Sequence, residues 1–193
     1  MSTSIGLDLS MTSTGVAAVT PRPRYIAQPH VARVTRAIKS KPAPIAERTA
    51  NVRARRLGDI VREIERDVKS HRPDIAVVES PVPNRRMKSA MLLERGAIYW
   101  ATLNMLDYYG IPIYECAPTQ RALWATGDGA ADKMSVAASM VAEHGIEFET
   151  DDECDAFVLA LIGLSLLNPA RDTLAHRQDV VAALAAQHKE ITK

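Results

Sequence analysis

The sequence predicts an α/β fold in which a mixed five-stranded sheet is flanked by helices. Short apolar segments bounded by turn residues are typical of strands, and longer segments with apolar residues at helical spacing are typical of helices. The early strands follow one another as hairpins, whereas the later ones alternate with helices. This order predicts a sheet with both antiparallel and parallel neighbours.

Five segments have the pattern of β-strands. Residues 4–9 alternate between large apolar side chains and small or acidic ones, so one face of the strand is apolar. A turn of small residues leads to residues 16–19, which predicts an antiparallel hairpin. The remaining predicted strands are residues 31–35, 75–79 and 113–116.

Six segments have the pattern of helices. Residues 45–68 carry apolar side chains at helical spacing and arginines on the other face, which predicts a long amphipathic helix. We expect one domain over residues 1–168, followed by a helical tail over residues 169–193. The other predicted helices are 85–109, 119–125, 132–144, one from 151 through the following apolar segment, and one over residues 172–193.

Composition excludes several classes of protein. The chain has 193 residues, of which 47% are hydrophobic, so it can bury a core. Its longest apolar stretch, residues 156–167, is shorter than the roughly 20 residues that a membrane span needs. No basic segment precedes an apolar one at the N-terminus, and Cys116 and Cys154 form no paired motif. We therefore expect a cytoplasmic protein without a signal peptide, a disulfide scaffold or a thiolate zinc site.

Charge is unevenly distributed along the chain. Basic residues outnumber acidic ones by 18 to 9 in residues 1–100, whereas acidic residues outnumber basic ones by 14 to 6 in residues 101–193. This segregation suggests a basic surface for a polyanion beside an acidic cluster. Solvated helix faces on a protein of net charge +1 are the alternative.

Four carboxylates stand where burial would be costly. Asp8 lies within an apolar strand and Glu79 ends another, while Asp152 and Asp155 share one face of a helix's first turn. Burying an unpaired carboxylate costs several kcal/mol, so each needs a partner, a proton or a metal ion.

Each carboxylate also has a structural explanation. A turn cap could satisfy the first, an ion pair the second, and the positive end of the helix dipole the helical pair. If the first and fourth strands are neighbours, however, all four carboxylates can converge. An oxygen-only cluster of this kind suits Mg²⁺ or Mn²⁺, and two such ions can support phosphodiester hydrolysis. The partners in the structural explanation would be Ser10 and Thr12 for Asp8, and Arg85 or Arg86 for Glu79.

The order of these motifs resembles the RuvC family of Holliday-junction resolvases, within the ribonuclease-H-like nuclease superfamily. The resemblance covers about residues 4–167 and implies a ribonuclease-H-like nuclease domain. The matching stretches are Gly6-Leu7-Asp8-Leu9-Ser10 with Thr14-Gly15, Val77-Val78-Glu79, residues 126–133 from Thr126 to Lys133, and Asp152-Glu153-Cys154-Asp155-Ala156.

The resemblance implies a site and partners. Asp8, Glu79, Asp152 and Asp155 would be catalytic ligands of two Mg²⁺ or Mn²⁺ ions, and Lys133 would lie near the scissile phosphate. The substrate would be branched DNA, either a four-way junction or also forks and flaps, and a homodimer would make paired nicks in the junction. The helix containing residues 89–103 would lie near the two-fold axis. Predicted DNA contacts are Arg85, Arg86, Lys88, Arg121, Gly127 and Gly129.

The sequence also departs from the family pattern. Val82 stands where bacterial members carry an aromatic residue that stacks on junction bases, and Ala122 aligns with a family lysine, beside Arg121. These departures and the low net charge would suit a phage-encoded member. The segment from Gly127 to Gly129 could cradle a phosphate, or it could be a plain loop before a helix that Asp132 caps.

Two other functions are compatible with parts of the sequence. A Gly-x-Asp strand followed by a Thr/Ser turn also opens actin-like ATPases and sugar kinases, but that fold needs two such domains and further glycine-rich phosphate loops. The chain could also be a non-catalytic module that binds branched DNA, although it carries all four carboxylates.

Overall fold

The fold is described from a computed structural model that covers residues 2–22, 31–82 and 89–189. Within these residues, five strands form one sheet in the order β3-β2-β1-β4-β5. The strands β1, β2 and β3 are antiparallel neighbours, whereas β1, β4 and β5 run parallel to one another. The predicted mixed five-stranded sheet is therefore confirmed. The strands are β1 Ser4–Asp8, β2 Ser13–Pro21, β3 Val31–Lys39, β4 Ile75–Glu79 and β5 Ile113–Cys116.

Six α-helices surround the sheet in the described part of the chain. They lie close to their predicted positions, although the first begins five residues later, after the 3₁₀ turn Ile45–Glu47. The predicted start of the second helix, at residues 85–88, falls outside the described residues. The helices are α1 Ala50–His71, α2 Ser89–Tyr108, α3 Pro118–Thr126, α4 Lys133–His144, α5 Asp151–Leu167 and α6 Ala175–Lys189. None of these helices is both long and apolar enough to cross a bilayer.

The two faces of the sheet bury different helices. Ile5 and Leu7 of β1 pack with α1 and α2 on one face, whereas α5 lies across the other. Side chains alternate along a strand, so Gly6 and Asp8 are on the α5 face. Helix α5 approaches the sheet closely because Gly6 and Gly15 leave room for its backbone. The alternation that predicted the strand therefore also directs Asp8 toward α5.

The C-terminal helix joins the core on the α5 side. Val180, Val181 and Leu184 of α6 are buried in the same apolar cluster as Phe157 of α5. Arg177 of α6 also bonds the carboxylate of Glu143 on α4, with one contact of 2.7 Å. The predicted boundary at residue 168 stays a prediction, but this helix shares its apolar contacts with the preceding helices.

Candidate active site

Two of the carboxylates lie at the ends of adjacent parallel strands. Strands β1 and β4 pair in register up to Leu7 opposite Val78, so Asp8 and Glu79 follow immediately at the same edge. The hydroxyls of Ser10 and Thr12, which the structural explanation suggested as partners of Asp8, bond to each other at 3.1 Å. The arrangement matches the predicted neighbouring strands and places both carboxylates at one end of the sheet.

Helix α5 brings the other two carboxylates to the same edge. Thr150 caps the helix by accepting a hydrogen bond from the backbone N–H of Glu153 at 3.3 Å. The hydroxyl of Ser13, which begins β2, donates to Asp152 at 2.5 Å. Asp155, one turn along the helix, is buried. The ends of β1 and β4 and the start of α5 therefore meet at one cleft.

This cleft has a volume of about 460 Å³ and all four carboxylates line it. The first half of α2 also borders it, through Met91, Glu94 and Arg95. Sequence reasoning did not identify these three residues as site residues, because the pattern of α2 does not show which side of the helix faces the strand ends.

Burial makes the negative charge of the cleft costly. It raises the pKa of the Asp8 carboxyl to about 7, with further contributions from Glu79, Asp155 and Asp152, while Arg121 acts in the opposite direction. Burial likewise raises the pKa of Asp155 to about 6, although Arg121 and Lys133 lower it. A carboxylate cluster of this kind is stabilised by added positive charge.

Arg121 of α3 supplies part of that positive charge. Its side chain is 8% exposed, and its Nε donates to Glu79 Oε2 at 2.8 Å. Its Nη1 donates to Asp155 Oδ1, so one guanidinium joins two carboxylates. Sequence reasoning proposed Arg121 as a DNA contact and missed this pairing. The suggested pairing of Glu79 with Arg85 or Arg86 falls outside the described residues. Contact of Arg121 with DNA stays a prediction.

Lys133 lies at the rim of the cleft. It begins α4, and its Nζ is 3.5 Å from Asp155 Oδ2 while its side chain remains 55% exposed. Asp132 caps this helix through a 2.8 Å bond from the backbone N–H of Ser135. Lys133 is therefore positioned to contact both the carboxylates and a polyanion in the cleft.

Backbone N–H groups of the glycine loop form hydrogen bonds within the loop and with the end of α3. Gly127 has φ +84° and ends α3, where its N–H donates to the carbonyl of Leu123 at 2.8 Å. The N–H of Asp128 bonds Thr126, and the N–H of Ala130 bonds the Asp128 carboxylate. These contacts favour the plain-loop alternative. The predicted DNA contacts of Gly127 and Gly129 stay predictions, and Arg85, Arg86 and Lys88 lie outside the described residues.

The chemistry of the cleft fits a hard divalent cation. Its acidic donors are oxygen atoms only, and the formal negative charges of five carboxylates, Glu94 included, exceed the three positive charges of Arg95, Arg121 and Lys133. In the conformation described, residues 2–22, 31–82 and 89–189 contain no group of three His, Cys, Asp or Glu side chains that is arranged to hold a metal ion. Because Arg121 bonds two of the four carboxylates, a bound ion would have to share or replace its contacts.

Comparisons with known proteins agree with the fold and the motif order. No family model matches the chain. It is 31% identical over 109 residues to the crossover junction endodeoxyribonuclease RuvC of Chlorobium chlorochromatii, covering 55% of each chain. It is 29% identical over 163 residues to RuvC of Chromohalobacter salexigens, covering 81% of this chain and 77% of the relative. The chain thus spans little more than half the length of some of the curated relatives it matches.

Solved structures show the same fold. Thermus thermophilus RuvC, in complex with a Holliday junction substrate, superposes with a TM-score of 0.67 at 21% identity and covers 83% of this chain and 92% of its own. The yeast mitochondrial Holliday junction resolvase Ydc2 superposes with a TM-score of 0.58 at 11% identity, covering 98% and 84%. In sequence and in fold, the chain is therefore similar to RuvC proteins, and it has the predicted ribonuclease-H-like fold.

Proposed function

We propose that the chain is a divalent-metal-dependent endonuclease that cuts phosphodiesters in branched DNA and resolves four-way junctions by paired nicks. The observation that carries this proposal is the convergence of Asp8, Glu79, Asp152 and Asp155 on one cleft, with Lys133 at its rim. The similarity to RuvC proteins supports the choice of substrate. Such an enzyme would act on DNA in the cytoplasm of a bacterium or a phage-infected cell.

Mg²⁺ or Mn²⁺ is the proposed cofactor. Its ligands would come from the four carboxylates, and bound ions would activate a water and stabilise the leaving oxygen, giving a 5′-phosphate and a 3′-hydroxyl. The chain itself contributes an exposed ammonium, that of Lys133, which would bind the scissile phosphate beside Asp155. Two ions per site, as the resemblance implies, would require Arg121 to release Glu79 and Asp155.

A panel of DNA substrates tests this function. Four-way junctions, forks, flaps and linear duplex of matched length should be incubated with Mg²⁺, Mn²⁺ or EDTA. We expect symmetrical nicks in the four-way junction with either metal and none in EDTA. Cleavage in EDTA would contradict the metal dependence, and equal cleavage of linear duplex would contradict the selectivity for branches.

We further propose that the chain works as a homodimer through the outer face of α2. Leu93 is 74% exposed and Trp100, two turns further along the helix, is 68% exposed. Leu92 is also 45% exposed and does not line the cleft, so the first half of α2 presents apolar side chains outside it. Large exposed apolar patches mark interaction sites on soluble proteins.

Leu93→Glu is expected to separate the dimer. A carboxylate placed in an apolar contact would weaken association by at least about thirtyfold, or about 2 kcal/mol. Sedimentation velocity over a concentration series measures the change, and Leu174→Glu is the matched control because Leu174 is 47% exposed on another part of the surface. A wild-type protein that stays monomeric, or a Leu93→Glu dimer of unchanged strength, would contradict the proposed contact.

A further inference from the structure

The side chain of Arg121 is buried, whereas a residue that contacts DNA from the protein surface is usually exposed. Arg121 lies in the second turn of α3 next to the buried Ala122, and its side chain is 8% exposed. The first turn of this helix is fixed because Gln120 Oε1 accepts a hydrogen bond from the backbone N–H of Ala117 at 2.9 Å. The guanidinium therefore reaches from α3 into the carboxylate cleft.

Its two ion pairs join residues from different elements. Glu79 ends β4 and Asp155 lies on α5, and Arg121 bonds both from α3. A guanidinium is permanently charged and its planar fork suits two acceptors at once. In the metal-free protein this contact offsets part of the repulsion among four carboxylates.

The same contact opposes the binding of a divalent ion. Lone pairs of Glu79 and Asp155 that accept from Arg121 are less available to a metal, and the fixed positive charge repels a cation that approaches them.

We infer that Arg121 is an internal counter-ion of the cleft, which stabilises the metal-free protein and competes with divalent cations for Glu79 and Asp155. The inference rests on the proposed metal-dependent function. It has two consequences with opposite signs: removal of the guanidinium destabilises the metal-free protein and strengthens metal binding. A purely structural arginine would produce only the first.

Arg121→Gln is expected to bind Mn²⁺ at least about tenfold more tightly than the wild type. One nearby charge changes the equilibrium constant of an ionic interaction by about tenfold or more, and we take the lower end of that range. Its unfolding midpoint in EDTA is expected to fall. Isothermal titration calorimetry with Mn²⁺ measures affinity and stoichiometry, and thermal unfolding in EDTA measures stability. Arg121→Lys keeps the charge but has a single ammonium in place of the planar fork, so we expect a smaller gain in Mn²⁺ affinity.

Arg177→Gln is the matched control. Arg177 is also 8% exposed and bonds the Glu143 carboxylate, but it lies on α6 outside the cleft. We expect it to lose stability with unchanged Mn²⁺ affinity. If Arg121→Gln binds Mn²⁺ no more tightly than the wild type does, the inference is overturned but the metal-dependent function is not. If Arg121→Gln does not fold, the same comparison is made with Arg121→Lys. No Mn²⁺ binding by the wild type or by either Arg121 variant would overturn the metal-dependent function as well.

Discussion

Asp8→Asn is expected to lose metal-dependent nicking by at least about a thousandfold, equivalent to about 4 kcal/mol of transition-state free energy. The amide keeps the shape of the side chain but is a much weaker ligand for Mg²⁺ or Mn²⁺. Because the amide is nearly isosteric with the carboxylate, we expect the fold and the binding of a four-way junction to persist.

The same substitution is expected to stabilise the protein in EDTA. Burial and the neighbouring carboxylates raise the pKa of Asp8 to about 7, so its negative charge is unfavourable in the metal-free fold. Removing that charge should increase the free energy of unfolding at pH 8 by about 1–3 kcal/mol. Glu79→Gln should also lose nicking but should lower stability, because it weakens the pair with Arg121.

Junction nicking under single-turnover conditions and urea unfolding in EDTA measure these two effects. Asp59→Asn is the control, since it makes the same chemical change at an exposed carboxylate of α1. Undiminished nicking by Asp8→Asn would exclude Asp8 as a metal ligand. Reduced stability of Asp8→Asn in EDTA would contradict the mutual repulsion of the carboxylates.

Gly15→Ala is expected to lower the free energy of unfolding by about 3 kcal/mol or more. A Cβ at this position would overlap the backbone carbonyl of Asp152, and it would also lie 3.2 Å from the Cβ of Ala156. The backbone of α5 cannot yield without moving away from the sheet. The substitution should therefore disturb both the core and the placement of Asp152 in the cleft.

Urea unfolding measures this loss, and Gly58→Ala is the control. The nearest atom to a Cβ at Gly58 is Arg62 Nη1 at 3.1 Å, the end of an exposed and flexible side chain. Alanine also favours a helix over glycine by about 0.5–1 kcal/mol, so we expect Gly58→Ala to match or exceed wild-type stability. A Gly15→Ala protein as stable as the wild type would contradict the close packing of α5 on β2.

Much of the fold was predictable because its strands are apolar and short. The pattern of residues 4–9 predicted β1, and the parallel pairing of β1 with β4 then places Asp8 beside Glu79. The extent of β2 and β3 was underestimated, since their ladder continues through polar pairs such as Ser13 opposite Lys39. Polar residues in an edge strand do not show the alternation on which the prediction depends.

The convergence of the carboxylates could be predicted, but their partners could not. Consecutive helical positions differ by about 100° in direction, so the sequence alone does not decide whether Arg121 or Ala122 faces the cleft. The hydrogen bond from Ser13 to Asp152 was also hidden, because it joins residues 139 positions apart. Contacts of this kind depend on how α3 and α5 pack on the sheet.

The most direct measurement of metal binding at this cleft is anomalous diffraction from crystals soaked in Mn²⁺. We expect anomalous density inside the cleft that Asp8, Glu79, Asp152 and Asp155 line, and its loss or marked weakening in Asp8→Asn crystals. Wild-type crystals without density in the cleft, at a Mn²⁺ concentration that saturates the protein in solution, would contradict a metal site at these carboxylates.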